Sequence, residues 1–179
     1  MKQVTLTRDM LVTGENALDY LSTVKFNKAV IVTGGQSMIR TGVIDKIKTI
    51  MEKSGGTVSV FSGIAKNPTT TQVLEGLAFL NEEKPDCLLA VGGGSSIDAA
   101  KVMLLFYDHP ELNFDNVFDA DLDSMTMKTQ FIAVPSTSGT ASEVTKVSVI
   151  TFEEKQFKMA IRTKNIFPNI AILDPSLPA

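Results

Sequence analysis

A chain of 179 residues is long enough for one domain with a substantial core and too short for two well-developed ones. With 44 % hydrophobic and 21 % charged residues it has the balance of a globular protein, and a net charge of −3 with scattered Lys and Arg argues against a nucleic-acid surface. No apolar run reaches the roughly 20 residues a membrane-spanning helix needs, and Met1-Lys2-Gln3-Val4-Thr5 is no signal core.

The elements follow in chain order. Ala29-Val30-Ile31-Val32-Thr33 reads as a buried strand. From about Arg40 to Lys53, Val43, Ile44, Ile47, Ile50 and Met51 fall on one helical face, and Gly55-Gly56 ends the helix. Thr57 to Phe61 is the next strand. Asn67-Pro68-Thr69 opens a second helix, with Thr69 and Gln72 at capping-box spacing and Val73, Leu74, Leu77 and Leu80 as its expected buried face. Cys87, the single cysteine, reads as a small buried hydrophobe at the head of the strand Leu88 to Val91; alone it builds neither a disulfide framework nor a thiolate zinc cluster. Ser95 to about Tyr107 is a third helix, with Ile97, Ala100, Lys101 and Leu104 on one side. This alternation predicts an α/β fold, a parallel sheet flanked by helices on both faces. Asp108 to Lys128 is polar and aperiodic, which predicts a surface loop with room for one short helix. Gln130 to Val134 is another buried strand. Lys146 to Thr151 and Lys158 to Arg162 predict a β-hairpin around Glu153-Glu154-Lys155, and Ile170 to Leu173 is the last strand.

Two motifs carry chemistry. In Val91-Gly92-Gly93-Gly94-Ser95-Ser96-Ile97-Asp98-Ala99-Ala100-Lys101 a buried strand runs through glycines straight into a helix. Glycine admits positive φ, expected here at Gly94, and lets a ligand approach the main chain; the helix N-terminus offers unpaired N–H groups to a pyrophosphate. Ser95 is placed to cap the helix or to donate to a phosphate. A purely structural, serine-capped turn is the alternative. No Gly-Lys-Ser/Thr follows, so this is no P-loop, and the spacing is not Gly-x-Gly-x-x-Gly. The second motif, Pro135-Ser136-Thr137-Ser138-Gly139-Thr140-Ala141-Ser142-Glu143-Val144-Thr145, is a run of hydroxyls straight after a strand. That is the end at which open α/β sheets bind ligands, although a hydroxyl-rich loop alone is also an ordinary solvated turn.

Together these motifs resemble the signatures of the iron-containing (group III) alcohol dehydrogenases. The resemblance runs from Leu11-Val12-Thr13-Gly14 through Asn67-Pro68-Thr69 to Ile172-Leu173-Asp174-Pro175. It implies a Rossmann-like nucleotide-binding domain over residues 1–179, shared with glycerol dehydrogenases and dehydroquinate-synthase-like proteins. By that resemblance Gly93, Gly94 and Ser95 hold the pyrophosphate, and Asp98 lies near the nicotinamide. Thr137, Ser138 and Thr140 line the cofactor with Asn67 and Pro68, and Lys158 sits near the ribose. Ala141 departs mildly from the small residue, often glycine, usual there.

The family's metal ligands, one aspartate and three histidines, lie in a helical domain that follows the Asp-Pro motif. The sequence stops five residues past Asp174, and its one histidine, His109, matches no ligand position. The expectation is therefore the nucleotide-binding half of an NAD(P)-linked alcohol dehydrogenase. Such a half carries neither catalytic nor metal-ligating residues; iron or zinc belongs to the complete enzyme. A non-catalytic nucleotide-binding module is the rival reading. Gly34 stands where NAD-preferring relatives tend to carry aspartate. Gly34 and Gly35 leave room for a 2′-phosphate, Ser37 offers a hydroxyl and Arg40 a charge, which favours NADP over NAD and resembles the NADPH-linked butanol-dehydrogenase-like branch. The further expectations are a cytoplasmic protein, no nucleic-acid or membrane partner, and a homo-oligomer paired through a strand near Val4-Thr5-Leu6.

Overall fold

The computed structural model describes residues 2–5, 10–136, 147–175 and 177, with backbone only at 2–5 and 37. One seven-stranded sheet dominates, in the order β1-β2-β9-β6-β5-β3-β4. Its members are β1 (Lys2–Thr5), β2 (Met10–Thr13), β3 (Lys28–Thr33), β4 (Thr57–Phe61), β5 (Cys87–Gly92), β6 (Gln130–Pro135) and β9 (Ile170–Leu173). All neighbours pair in parallel except β1, an antiparallel edge strand on β2. The hairpin β7 (Val147–Phe152) and β8 (Phe157–Arg162) forms a separate two-stranded sheet around the expected charged turn. The helices are α1 (Ser37–Arg40), α2 (Val43–Glu52), α3 (Thr70–Glu83) and α4 (Gly94–Asp108). The expected Rossmann-like, helix-flanked parallel sheet is therefore the fold, and among the described residues no helix follows β9.

Alternation along the strands divides the core into two layers. Val30, Val32, Leu88, Ala90, Phe131 and Ala133 face α3 and α4. Ala29, Ile31, Cys87, Leu89, Ile132 and Val134 face α2 and a 3-10 turn at Ala17–Thr23. Cys87 is buried, and burial, followed by the nearby Asp86 carboxylate, pushes its thiol up to about 12. Asp174, just past β9, ties that strand's end to the 3-10 turn, its Oδ2 accepting from the Leu18 amide at 3.3 Å.

Some expectations for the helices hold and others are corrected. The helix foreseen from about Arg40 to Lys53 is α2, Val43–Glu52, with Val43, Ile44, Ile47 and Met51 buried on the expected face; Gly42 at φ 82 separates it from the one-turn α1. On α3 the buried face is Val73, Gly76 and Leu80, while Leu74 is 48 % exposed; glycine at 76 lets the helix approach Met103, which a Cβ there would overlap. The stretch between α4 and β6 is more than a surface loop: Leu112, Val117 and Leu122 are buried in the same layer as α4, and a 3-10 turn spans Leu122–Ser124. With that cover and the hairpin above it, α4 is buried nearly all round rather than on one side.

Candidate functional site

The carboxyl ends of β3, β5 and β6 lie side by side, with Thr33 opposite Val91 and Gly92 opposite Pro135. At Gly92 the backbone takes φ 134, a conformation only glycine adopts readily. A Cβ there would stand 3.2 Å from Ser96 Oγ and 3.8 Å from Thr33 Oγ1. The left-handed glycine is thus Gly92 and not Gly94, which is the first helical residue of α4. Gly93 is the N-cap, extended at φ −78 and ψ −179, and no side chain among the described residues caps the helix. Ser95 instead donates its hydroxyl to the Lys66 carbonyl. Uncapped amides at the start of a 15-residue helix, with the helix dipole behind them, form an anion-binding end.

Beside this turn lies a small cavity of about 80 Å³, lined by Thr33, Gly34, Gly35, Gly92, Gly93 and Ser136, among others. Thr33 is fully buried, and its Oγ1 has no hydrogen-bond partner among the described residues. An unpartnered buried hydroxyl is costly, so a polar ligand atom here would relieve a real deficit. A Cβ on Gly35 or Gly93 would meet nothing within 4 Å, whereas one on Gly34 would lie 3.1 Å from Ser96 Oγ and 3.3 Å from the Ile64 carbonyl. Ser37 opens α1, and Arg40 closes it with an exposed side chain.

The loop between β4 and α3 is bonded to the end of β3 and to the start of α4. Gly63 N donates to Gly34 O at 3.0 Å and Ile64 N to Thr33 O at 3.3 Å. Gln72 braces the loop, its Oε1 accepting from Ala65 N and its Nε2 donating to Gly63 O, both at 3.3 Å. Thr69 caps α3 as expected, accepting from Gln72 N at 3.2 Å. Lys158 Nζ donates to Asn67 Oδ1 at 3.1 Å, and Pro68 O accepts from Thr151 N at 2.9 Å. Asp98 sits farther along α4, where its Oδ2 accepts from Val149 N at 3.3 Å.

Of the sequence-derived candidates, Gly34, Gly35 and Gly93 line one cavity, and the Ser95–Lys66 contact joins the turn to Asn67, Pro68 and Lys158. Thr137, Ser138 and Thr140 lie outside the described residues. Sequence reasoning missed Thr33 and Gly92. In the sequence Gly92 is only the first glycine of the motif, and Thr33 only the end of a strand. Among the described residues no three His, Cys, Asp or Glu side chains gather to hold a metal. His109 is engaged elsewhere, its Nε2 lying 2.7 Å from the Thr126 carbonyl oxygen and its Nδ1 3.3 Å from Glu111.

A family model described as iron-containing alcohol dehydrogenase matches residues 9–175. The NADPH-dependent butanol dehydrogenase of Clostridium saccharobutylicum is 40 % identical over 178 residues, covering 99 % of this chain and 46 % of its own length. The alcohol dehydrogenase of Thermococcus barophilus is 35 % identical over 94 % of this chain and 46 % of its own. Among solved structures, an iron-containing alcohol dehydrogenase from Thermococcus thioreducens superposes with a TM-score of 0.88 at 36 % identity, over 98 % of this chain and 47 % of that one. An NADH-dependent butanol dehydrogenase from Thermotoga maritima gives 0.81 at 26 % identity, over 97 % and 44 %. The chain thus spans about half the length of these relatives.

Proposed function

The chain belongs to the iron-containing alcohol dehydrogenase family, and from that membership we propose that residues 1–179 act as one dinucleotide-binding domain, the cofactor-holding half of an enzyme that moves hydride between an alcohol and NADP. The observation that carries this reading is the N-terminus of α4, uncapped among the described residues, beside a cavity with a fully buried Thr33 hydroxyl that has no partner among them. Such a cradle suits a pyrophosphate. The residues present therefore fit a dinucleotide, which when bound supplies the nicotinamide that accepts or returns the hydride.

In this reading the first-turn amides of α4 at Gly94 and Ser95 hold the pyrophosphate, and Gly93 lets it approach the main chain. Asn67, Pro68 and Lys158 face the ribose, while Asp98, Thr137, Ser138 and Thr140 address the nicotinamide side. Gly34 and Gly35 leave space for a 2′-phosphate near Ser37 and Arg40. Relatives use both cofactors, NADPH in the Clostridium enzyme and NADH in the Thermotoga one, so the choice rests on this chain's own residues. Residues 33–40 contain no carboxylate and one cation, Arg40, which favours NADP. The described residues do not fit a metal cage. In this reading the isolated chain binds cofactor without turning over alcohol. The same reading makes the protein a cytoplasmic homo-oligomer, its β1 edge strand offering unpaired backbone to a second copy. No helix among the described residues is long and apolar enough to cross a membrane.

Titrating NADP(H) and NAD(H) into the protein by calorimetry tests the proposal. NADP(H) should bind the more tightly. Absence of binding by either cofactor would overturn the site assignment, and a preference for NAD(H) would overturn the cofactor assignment.

A further inference from the structure

Position 34 is glycine for a reason the backbone does not supply. Among the described glycines the left-handed φ values belong to Gly14, Gly42, Gly55, Gly63 and Gly92, so the main chain at Gly34 does not itself demand glycine. The surroundings do. Beyond its chain neighbours a Cβ on Gly34 would have Ser96 Oγ at 3.1 Å and the Ile64 carbonyl oxygen at 3.3 Å, both closer than the roughly 3.5–4.0 Å of ordinary packing contacts. At Gly35 the same Cβ would meet nothing within 4 Å, so the crowding is particular to position 34. The two walls differ in kind. The Ile64 carbonyl belongs to main chain pinned to β3, with Ile64 N donating to Thr33 O at 3.3 Å and Gly63 N to Gly34 O at 3.0 Å. The nearer wall is a single side-chain atom. Ser96 is the third residue of α4, its amide donating to Gly93 O at 3.1 Å, and at 2 % exposure it has no solvent into which to turn its hydroxyl. The same Oγ would stand 3.2 Å from a Cβ on Gly92, so it fills space that both turns leave open by being glycine.

We propose that Ser96 determines cofactor specificity by acting through position 34. Its hydroxyl holds that position bare, which preserves the space a 2′-phosphate needs. It also bars the side chain that would select NAD(H): an aspartate there accepts hydrogen bonds from the adenosine ribose and repels a 2′-phosphate, but its Cβ meets the serine first. Ser96 does this as a positioning residue, without touching the cofactor. The inference rests on the nucleotide-binding reading above, in which the end of β3 faces the adenosine ribose.

A double-mutant cycle tests it, with calorimetric titrations of NADP(H) and NAD(H) and thermal melts on wild type, Gly34→Asp, Ser96→Ala and the double variant. Gly34→Asp should lose NADP(H) affinity, gain none for NAD(H), and melt roughly 2–8 °C below wild type, because its Cβ is forced against the hydroxyl. The double variant should melt closer to wild type. It should also bind NAD(H) about tenfold more tightly than either single variant, since the carboxylate is then free to settle toward the ribose, while NADP(H) stays weak. Recovery of stability without a gain for NAD(H) would leave Ser96 a packing residue and overturn the inference. A Gly34→Asp variant that gains NAD(H) affinity unaided, or a double variant no more stable than it, would do the same. If Gly34→Asp does not fold, the double variant is read against Ser96→Ala. Gly34→Ala then carries the steric half, because it brings the same Cβ without the charge: it should melt below wild type, and adding Ser96→Ala should restore it. Failure to restore it overturns the inference. A wild type that binds neither cofactor overturns the nucleotide reading and this inference with it. A wild type that binds NADP(H), with no gain for NAD(H) in the double variant, overturns this inference alone.

Discussion

Replacing Gly92 and Gly93 one at a time by alanine separates the backbone demands of the turn from its ligand demands. Gly92 sits at φ 134, where an L-residue costs about 1–3 kcal/mol. Its new Cβ would also stand 3.2 Å from Ser96 Oγ, tight enough that the serine must shift. A total near 2–3 kcal/mol corresponds to a fall in melting temperature of roughly 4–12 °C for a protein of this size. Gly93 is different: at φ −78 and ψ −179 any residue fits, and its Cβ would meet nothing within 4 Å. Gly93→Ala should therefore melt within about 2 °C of wild type, since the conformation is unstrained. The same methyl would project at the phosphate approach and should weaken NADP(H) binding by about tenfold or more, a cost near 1.4 kcal/mol. Calorimetric melts and cofactor titrations on both variants read the two effects separately. A Gly92→Ala variant that melts like wild type, or a Gly93→Ala variant with undiminished affinity, would refute this account of the turn.

Gly34→Asp should weaken NADP(H) binding by much more than NAD(H) binding, as the carboxylate repels a 2′-phosphate; because its Cβ would lie 3.1 Å from Ser96 Oγ and 3.3 Å from the Ile64 carbonyl, a modest stability loss should accompany it. Equal losses for the two cofactors would count against the cofactor assignment. Glu153 accepts from Thr71 N at 3.1 Å at the start of α3, and hydrogen bonds from Thr71 foremost, then Thr69, hold its carboxyl below the ordinary 4.5. A lowered folded-state value means that its stabilisation is present above pH 4.5 and lost as pH falls below it. Glu153→Gln should therefore melt lower than wild type at pH 7, with the gap closing on acidification; a pH-independent gap would refute the linkage. Adding iron or zinc to the isolated chain should give neither stoichiometric tight binding nor steady alcohol turnover. Light scattering at micromolar concentration should show a dimer or larger, and a clean monomer would dismiss the role given to the β1 edge.

What the sequence determined by itself lies within a few residues of chain. Apolar runs such as Val30-Ile31-Val32 and Leu88-Leu89-Ala90-Val91 announce buried parallel strands, because side chains alternate between two covered faces. Thr69 caps α3 through an amide three residues away, and the hairpin turns at Glu153-Glu154-Lys155. The glycine motif was legible as a phosphate turn because strand, glycines and helix are contiguous. Tertiary structure alone decided the rest. Thr33 becomes a buried hydroxyl without a partner among the described residues only because β3 and β5 end side by side with Gly92 beside it. Leu74 is exposed and Gly76 buried because α3 lies against Met103 of α4, a contact that helical period does not encode. Lys101 looked like one residue of a helical stripe; its partner, Val147, is 46 residues away. Periodicity and capping are short-range and survive in the bare sequence. Which face of a helix is covered, and which polar atom lacks a partner, depends on segments that meet only when the sheet has formed.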